Sequence, residues 1–338
     1  MYSFLAPNPA RLICLTTLAV GFLCTLPGCS KDDEPAAATP AAPARISVPQ
    51  AGIFPEGIQW DEANKRFYVS SRAKGTVGTV RDDSTYTEFG RDNQSISNNR
   101  LISTIGLNLD AGRQRLLAAV SDNNFNPSVQ NQPTLRKLAA LATFNTSTGA
   151  MNSFVNLASL PAAAAYPNHF ANDIAVDAAG NAYITDSMSP IIYKVDLQGN
   201  ATVFLENAQF SGGTGFGLNG IVYHPDGYLL TAKTSDGTLF KVPISNPAGF
   251  TTVTKTQSLV GADGLLLFDN NTLLVVAGSQ STVFRMTTAN AWATTTSTGS
   301  FATGAVSPTT ITKRGSDAYV LYPYGATAPR FKIVKVNF

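Results

Sequence analysis

Asn172-Asp173-Ile174-Ala175-Val176-Asp177, followed after a turn by Ala182–Thr185, is the unit on which the fold of this 338-residue chain turns. It consists of a polar residue, a small residue or Asp, an apolar strand, a turn and a second apolar strand. The same order returns at Glu56-Gly57-Ile58-Gln59-Trp60-Asp61 with Arg66–Ser70, and at Ile105-Gly106-Leu107-Asn108-Leu109-Asp110 with Leu116–Val120. Three further copies are Asn219-Gly220-Ile221-Val222-Tyr223 with Tyr228–Thr231, Asp263-Gly264-Leu265-Leu266-Leu267-Phe268 with Thr272–Val276, and Thr309-Thr310-Ile311-Thr312 with Ala318–Leu321. The first positions are 49, 67, 47, 44 and 46 residues apart. A period in the forties built from strands and turns is that of a four-stranded propeller blade, so six copies predict an all-β, six-bladed β-propeller.

The rest of the chain fills in around these hairpins. Ile192–Val195, Leu239–Val242 and Val283–Met286 read as third strands and Ala201–Leu205 as a fourth. Arg45–Pro49 is expected to close the ring beside the last blade and leave no free edge. The long interval holds the polar stretch Asn123–Gln132 and two weak helical candidates, Thr134–Leu141 and Leu157–Ala165, both short or irregular. A pair of β-sandwiches is the rival fold, but it does not require one unit six times over. Hydrophobic residues make up 44% of the chain and charged ones 14%, against roughly 25% in ordinary globular proteins. Lys+Arg 24 against Asp+Glu 22 gives +2, too balanced for a phosphate-neutralising face, so nucleic acid is excluded as a partner.

Ahead of the repeats, Arg11 precedes an apolar run from Leu12 to Leu26, ending in Pro27-Gly28-Cys29. A basic residue, about 15 apolar residues and a small residue before a cut site read as a secretory signal, too short to span a membrane. Leu26-Pro27-Gly28-Cys29 resembles a bacterial lipobox, with an ordinary signal that contains cysteines as the alternative. Residues 1–28 are then the signal and Cys29 the lipidated residue. Cys14 and Cys24 leave with the signal, so the mature domain has no free thiol and no disulfide. Residues 29–43, rich in Ala and Pro, form a flexible tether, and the propeller occupies 44–338. The expected location is the cell envelope, anchored to the outer membrane by the N-terminal lipid alone. Ser30-Lys31-Asp32-Asp33-Glu34 resembles a surface-export signal as much as the solvated start of a tether.

In a propeller the first strand of each blade lines the channel, so the residue just before it sits at the channel mouth. Those positions hold Glu56, Ile105, Asn172, Asn219, Asp263 and Thr309. Glu56, Asn172, Asn219 and Asp263 are oxygen donors suited to Ca²⁺ or another hard divalent ion, whose two charges the two carboxylates would match. Zinc would be expected to recruit His or Cys. The competing explanation is turn chemistry, since Asn-Gly, Asp-Gly and Asn-Asp often satisfy local backbone groups. Asp61, Asp110 and Asp177 lie at the hairpin turns, at the opposite face.

Phe54-Pro55-Glu56-Gly57-Ile58-Gln59-Trp60-Asp61, Asn172–Asp177, Leu218-Asn219-Gly220-Ile221 and Ala262-Asp263-Gly264-Leu265 resemble the blade motifs of the senescence marker protein/gluconolactonase/luciferin-regenerating enzyme family. Paraoxonase and diisopropylfluorophosphatase share that architecture. The resemblance implies a calcium or similar ion on Glu56, Asn172, Asn219 and Asp263, and hydrolysis of a lactone, ester or phosphotriester. The ion would polarise the carbonyl or phosphoryl oxygen, and water or Asp263 would attack. Gluconolactonase-like members carry an arginine where this chain has Phe170, which points away from a sugar lactone toward a more apolar ring.

Residues following each second strand should rim the pocket: Ser70, Asp122, Asp186, Lys233 and Gln280. Asp122 and Asp186 could bond outer groups or move protons, or simply satisfy loop amides. Arg72 and Lys74 could meet an anionic substrate or form a solvated rim. His169, three residues before Asn172, could act as a general base or pack as an ordinary loop histidine; His224 has no assigned role. Two functions compete: a monomeric, envelope-anchored, calcium-dependent lactonase or esterase, and a non-catalytic propeller binding a protein or glycan with the ion structural. A quinone-dependent dehydrogenase has little support, with only Trp60 and Trp292 present.

Overall fold

The computed structural model describes residues 41–90, 101–324 and 330–338. The signal 1–28, Cys29 and most of the tether lie outside the described residues. Among those described, no helix is long and apolar enough to cross a membrane. The strands form six small sheets, each read here from the channel outward. Blade 1 is Ile58–Asp61, Arg66–Ser70, Val77–Val80 and Tyr86–Gly90; blade 2 is Ser103–Asp110, Arg115–Ser121, Ala139–Asn145 and Met151–Asn156. Blade 3 is Ala171–Val176, Ala182–Asp186, Ile191–Val195 and Ala201–Glu206; blade 4 is Leu218–His224, Tyr228–Lys233, Leu239–Pro243 and Thr251–Thr252. Blade 5 is Ala262–Asp269, Thr272–Ala277, Thr282–Thr287 and Thr294–Ala302, the last flanked in parallel by Thr254–Lys255.

Blade 6 takes three strands from the end of the chain, Ile311–Arg314, Asp317–Tyr322 and Phe331–Lys335, and its fourth from the beginning. Arg45–Val48 pairs antiparallel with Phe331–Lys335, Ile46 opposite Ile333 and Val48 opposite Phe331. This is the closure expected of Arg45–Pro49. The strand is held because Ile46 and Val48 are 1% and 0% exposed, packed with Phe67, Tyr319, Leu321, Phe331 and Ile333 where blades 6 and 1 meet. Each fully buried aliphatic side chain contributes about 1.5–3 kcal/mol.

The weak helical candidates are not helices. Thr134–Leu141 is a turn that runs into the strand Ala139–Asn145, and Leu157–Ala165 holds only one 3₁₀ turn, Ala163–Ala165. Ala139–Asn145 is covered on both faces, and a short apolar run buried on both sides has no period to tell strand from helix.

A cavity of about 220 Å³ occupies the channel, with Gln59, Asn108, Asp173, Ile221, Leu265 and Thr310 contributing from the six innermost strands and the residues leading into them. Side chains bond neighbouring blades across it: Gln59 Nε2 donates to Leu107 O (2.9 Å) and Asn108 Nδ2 to Ile174 O (3.0 Å).

Candidate site at the channel mouth

In blades 2 to 5 the innermost strand begins with a β-bulge. Thr104 faces Val120 but Leu107 faces Ala118; Ala171 faces Asp186 but Ile174 faces Ile184. Leu218 and Ile221 face Lys233 and Thr231; Ala262 and Leu265 face Ala277 and Val275. A bulge sets two residues against one and re-aims a side chain. The bulged pairs are Ile105-Gly106, Asn172-Asp173, Asn219-Gly220 and Asp263-Gly264. Blade 1 reaches an equivalent arrangement without a bulge, because Ser70 Oγ accepts the N–H groups of Glu56 (3.2 Å) and Gly57 (2.7 Å). In blade 6, Thr309 spends its hydroxyl on the carbonyl of Glu56 (3.0 Å).

Glycine follows the mouth residue where the next blade closes in. A Cβ on Gly106 would lie 2.3 Å from the carbonyl oxygen of Asn172, and one on Gly220 2.3 Å from that of Asp263. Blade 3 breaks the pattern with Asp173, whose carboxylate accepts the N–H groups of Ile174 (2.9 Å) and Ile221 (3.3 Å). Sequence reasoning passed over Asp173. The signal was there, since a carboxylate stands where Gly57, Gly106, Gly220 and Gly264 stand in other blades.

The two asparagines are oriented by one device used twice. Asn172 Nδ2 donates to Ser187 Oγ (2.8 Å), and that hydroxyl donates to Leu218 O (2.6 Å). Asn219 Nδ2 donates to Thr234 Oγ1 (3.1 Å), which donates to Ala262 O (2.8 Å). Each amide nitrogen is thereby committed to a rim hydroxyl, which fixes which way the amide oxygen faces. Both residues are 5% exposed.

The carboxylates are held under strain of charge. Burial raises Glu56 above its ordinary value, with Arg72 opposing. Burial and the charge of Glu56 raise Asp263 well above its own, against a hydrogen bond from Asn219. Burial pushes Asp173 up to about 7 despite its two backbone bonds, and Glu56 adds to the rise. Arg72 Nη1 lies 3.2 Å from Glu56 Oε2. That oxygen, like Arg72 Nε, is buried and has no hydrogen-bond partner.

An aromatic arc adjoins these groups. Phe170, 3% exposed, stacks on Phe216 at 5.1 Å and meets Phe125 edge-on at 6.3 Å. Phe125 in turn carries the Arg72 guanidinium over its face at 4.8 Å. Across the mouth, exposed Phe54 contacts Tyr324 at 4.4 Å, and the Tyr324 hydroxyl accepts the Phe54 N–H. Phe125 and Phe216 were not singled out in sequence; nothing in their spacing marks them.

The remaining rim residues are engaged locally. Asp186, fully buried, accepts from Phe170, Met188 and Ser189 N–H groups and from the Tyr193 hydroxyl (2.9 Å). His169 Nδ1 lies 2.8 Å from Asp186 Oδ2, a contact that orients the ring. His169 is 3% exposed, and the polar contacts of its ring are Asp186, Ser189 and Tyr193, none of the four mouth residues. Asp122 accepts from Thr134 Oγ1 and Asn124 N–H, shaping the long loop of blade 2. Lys233 binds Gln209 O and Asp236.

Among the described residues no three His, Cys, Asp or Glu side chains are grouped to hold an ion. An ion at this mouth therefore depends on amide oxygens, and here the fit is good: two amides fixed by their rim hydroxyls, two partly buried carboxylates, and one carboxylate oxygen left without a hydrogen bond.

Fold and mouth together define a six-bladed propeller whose channel mouth gathers polar side chains from successive blades. The chain belongs to the SMP-30/gluconolactonase/LRE-like family, whose profile matches residues 54–321. No curated protein matches it in sequence. Among solved structures it resembles the major Malassezia sympodialis allergen Mala s 1 (TM-score 0.68, 18% identity, covering 88% of this chain and 97% of that one). A Xanthomonas campestris gluconolactonase gives 0.58 at 15% identity (86% and 88%), and a luciferin-regenerating enzyme 0.56 at 11% (87% and 97%). At these identities the likeness to individual structures is one of fold.

Proposed function

We propose that the chain is a divalent-metal-dependent hydrolase of a lactone or ester bearing an apolar or aromatic ring, with calcium the ion its donors favour. The orientation of Asn172 and Asn219 by Ser187 and Thr234 carries this reading, because turn chemistry alone would not turn both amides by the same relay. Charge supports it as well. Glu56, Asp173 and Asp263 oppose one guanidinium, so when ionised they leave two negative charges for a dication to balance. The sequence of residues 11–43 supports an outer-membrane lipid anchor at Cys29.

Glu56, Asn172, Asn219 and Asp263 would hold the ion, which supplies Lewis-acid polarisation of the substrate's carbonyl oxygen. Asp263 accepts the proton of the attacking water as the oxygen adds to the carbonyl carbon. The carbon–oxygen bond to the leaving alkoxide then breaks, and the proton returns to that alkoxide. Phe125, Phe170 and Phe216 seat the ring and exclude water from its face.

Calcium titrated into chelator-stripped protein by calorimetry should bind at one ion per chain. Asp263→Asn should abolish that binding, and with it the chelator-sensitive hydrolysis of aryl-substituted lactones or esters. No uptake by the folded wild-type protein would sink the metal reading and favour a propeller that binds a partner.

A further inference from the structure

Arg72 follows the second strand of blade 1, and its backbone is pinned on both sides. Its N–H donates to Phe54 O (3.2 Å), and its carbonyl accepts from Ser103 Oγ (2.7 Å). From this fixed base the side chain reaches Glu56 with Nη1 and lies over Phe125 with its planar face. A guanidinium and a carboxylate that fit one another close two parallel hydrogen bonds. This pair does not: Glu56 Oε2 and Arg72 Nε are both buried and unpartnered. Attraction of charge holds the two together, in a geometry that leaves each with unused bonding capacity.

We propose that Arg72 is a built-in counter-cation of the mouth, competing with the divalent ion for Glu56. This rests on the reading of Glu56, Asn172, Asn219 and Asp263 as the ion's donors. A dication and a guanidinium cannot share one carboxylate oxygen at contact distance without strong repulsion at low dielectric. Arg72 therefore holds Glu56 when no ion is bound and must leave that oxygen when one binds. Phe125 gives the released guanidinium a place to rest, since the cation–π contact does not depend on Glu56. Ion affinity is lowered by the fraction of molecules in which Arg72 occupies Glu56. Once released, Arg72 offers its free N–H groups to an anionic part of the substrate, beside the ring that Phe125 would contact.

The test is calcium calorimetry on the chelator-stripped full chain, with thermal unfolding of each protein with and without calcium. Arg72→Met keeps the apolar stem and removes the charge; Arg72→Lys keeps the charge without the planar face. Arg72→Met should bind calcium at least tenfold tighter than wild type, and Arg72→Lys within about threefold of it. Without calcium, Arg72→Met should melt below wild type, because Glu56 loses its counter-charge; with calcium the gap should close or reverse. Equal or weaker binding by Arg72→Met, with binding by wild type intact, overturns the proposal and leaves the donor reading standing. If neither wild type nor Arg72→Met, both folded, takes up calcium, the donor reading fails and the proposal with it.

Discussion

At the scale of single residues, the mouth depends on hydroxyls that hold its two amides in place. Ser187 and Thr234 each take an amide proton from an asparagine and pass their own proton to the next blade's backbone. Removing such a support typically costs 10–100-fold in ion affinity. Ser187→Ala should therefore weaken calcium binding at least about tenfold by calorimetry, with a far-ultraviolet spectrum like that of wild type. Unchanged affinity would mean that Asn172 is held some other way. Glu56, Asn172, Asn219 and Asp263 could be placed at the mouth from the chain because they occupy one position in a repeated unit. Asp173 could not be read so easily, because beside Asn172 it looks like ordinary turn chemistry. Only the close approach of blades around the channel reveals why glycine is the rule there and a half-buried carboxylate the exception.

Among elements, the bulge and the hairpin divide the work. Bulges aim side chains at the mouth, whereas hairpin carboxylates tie together the first two strands of their own blade at the other face. Asp177 accepts Asn181 N–H (2.9 Å), Asn181 Nδ2 (2.7 Å) and the Tyr183 hydroxyl (3.0 Å). Asp61 repeats the arrangement with Asn64 and Tyr68 and adds Arg66. Burial alone would raise Asp177, but these bonds outweigh it and the carboxyl is held below its ordinary value. Its folded-state pKa thus lies under the unfolded one, near 3.9. The stability it contributes is complete above that pH and is lost as pH falls through the folded value. Asp177→Asn should cost about 1 kcal/mol at pH 7. Urea unfolding across pH should show the deficit shrinking as pH falls through the depressed folded value; a constant deficit would show that charge is not involved. The hairpins were legible because their strands and turns alternate in composition. The bulges were not, since one extra residue leaves an apolar run looking unbroken, and Thr134–Leu141 misled because full burial erases periodicity.

Over the whole molecule, six hairpin copies were enough to count the blades, and the one long interval proved to be an enlarged loop rather than a missing blade. The aromatic arc escaped notice because Phe125, Phe170 and Phe216 meet only once three blades stand side by side. Closure is noncovalent and rests on Arg45–Val48. Ile46→Ala should cost roughly 2–5 kcal/mol. It should also promote self-association above its lowered melting point, because Phe331–Lys335 becomes a free edge; light scattering during thermal unfolding would show both. A melting point within a degree of wild type would mean that the ring closes without this contact.

That same strand sets the protein's timetable. Ile46 and Val48 leave the ribosome before any other residues of the sheets, yet their partners Ile333 and Phe331 are among the last to be made. At about 5–20 residues per second the wait is tens of seconds. Throughout that time the nascent chain carries a sticky apolar segment at its head and a growing, unfinished edge at its tail. The strand that closes the ring is thus the one that stays longest without its partner.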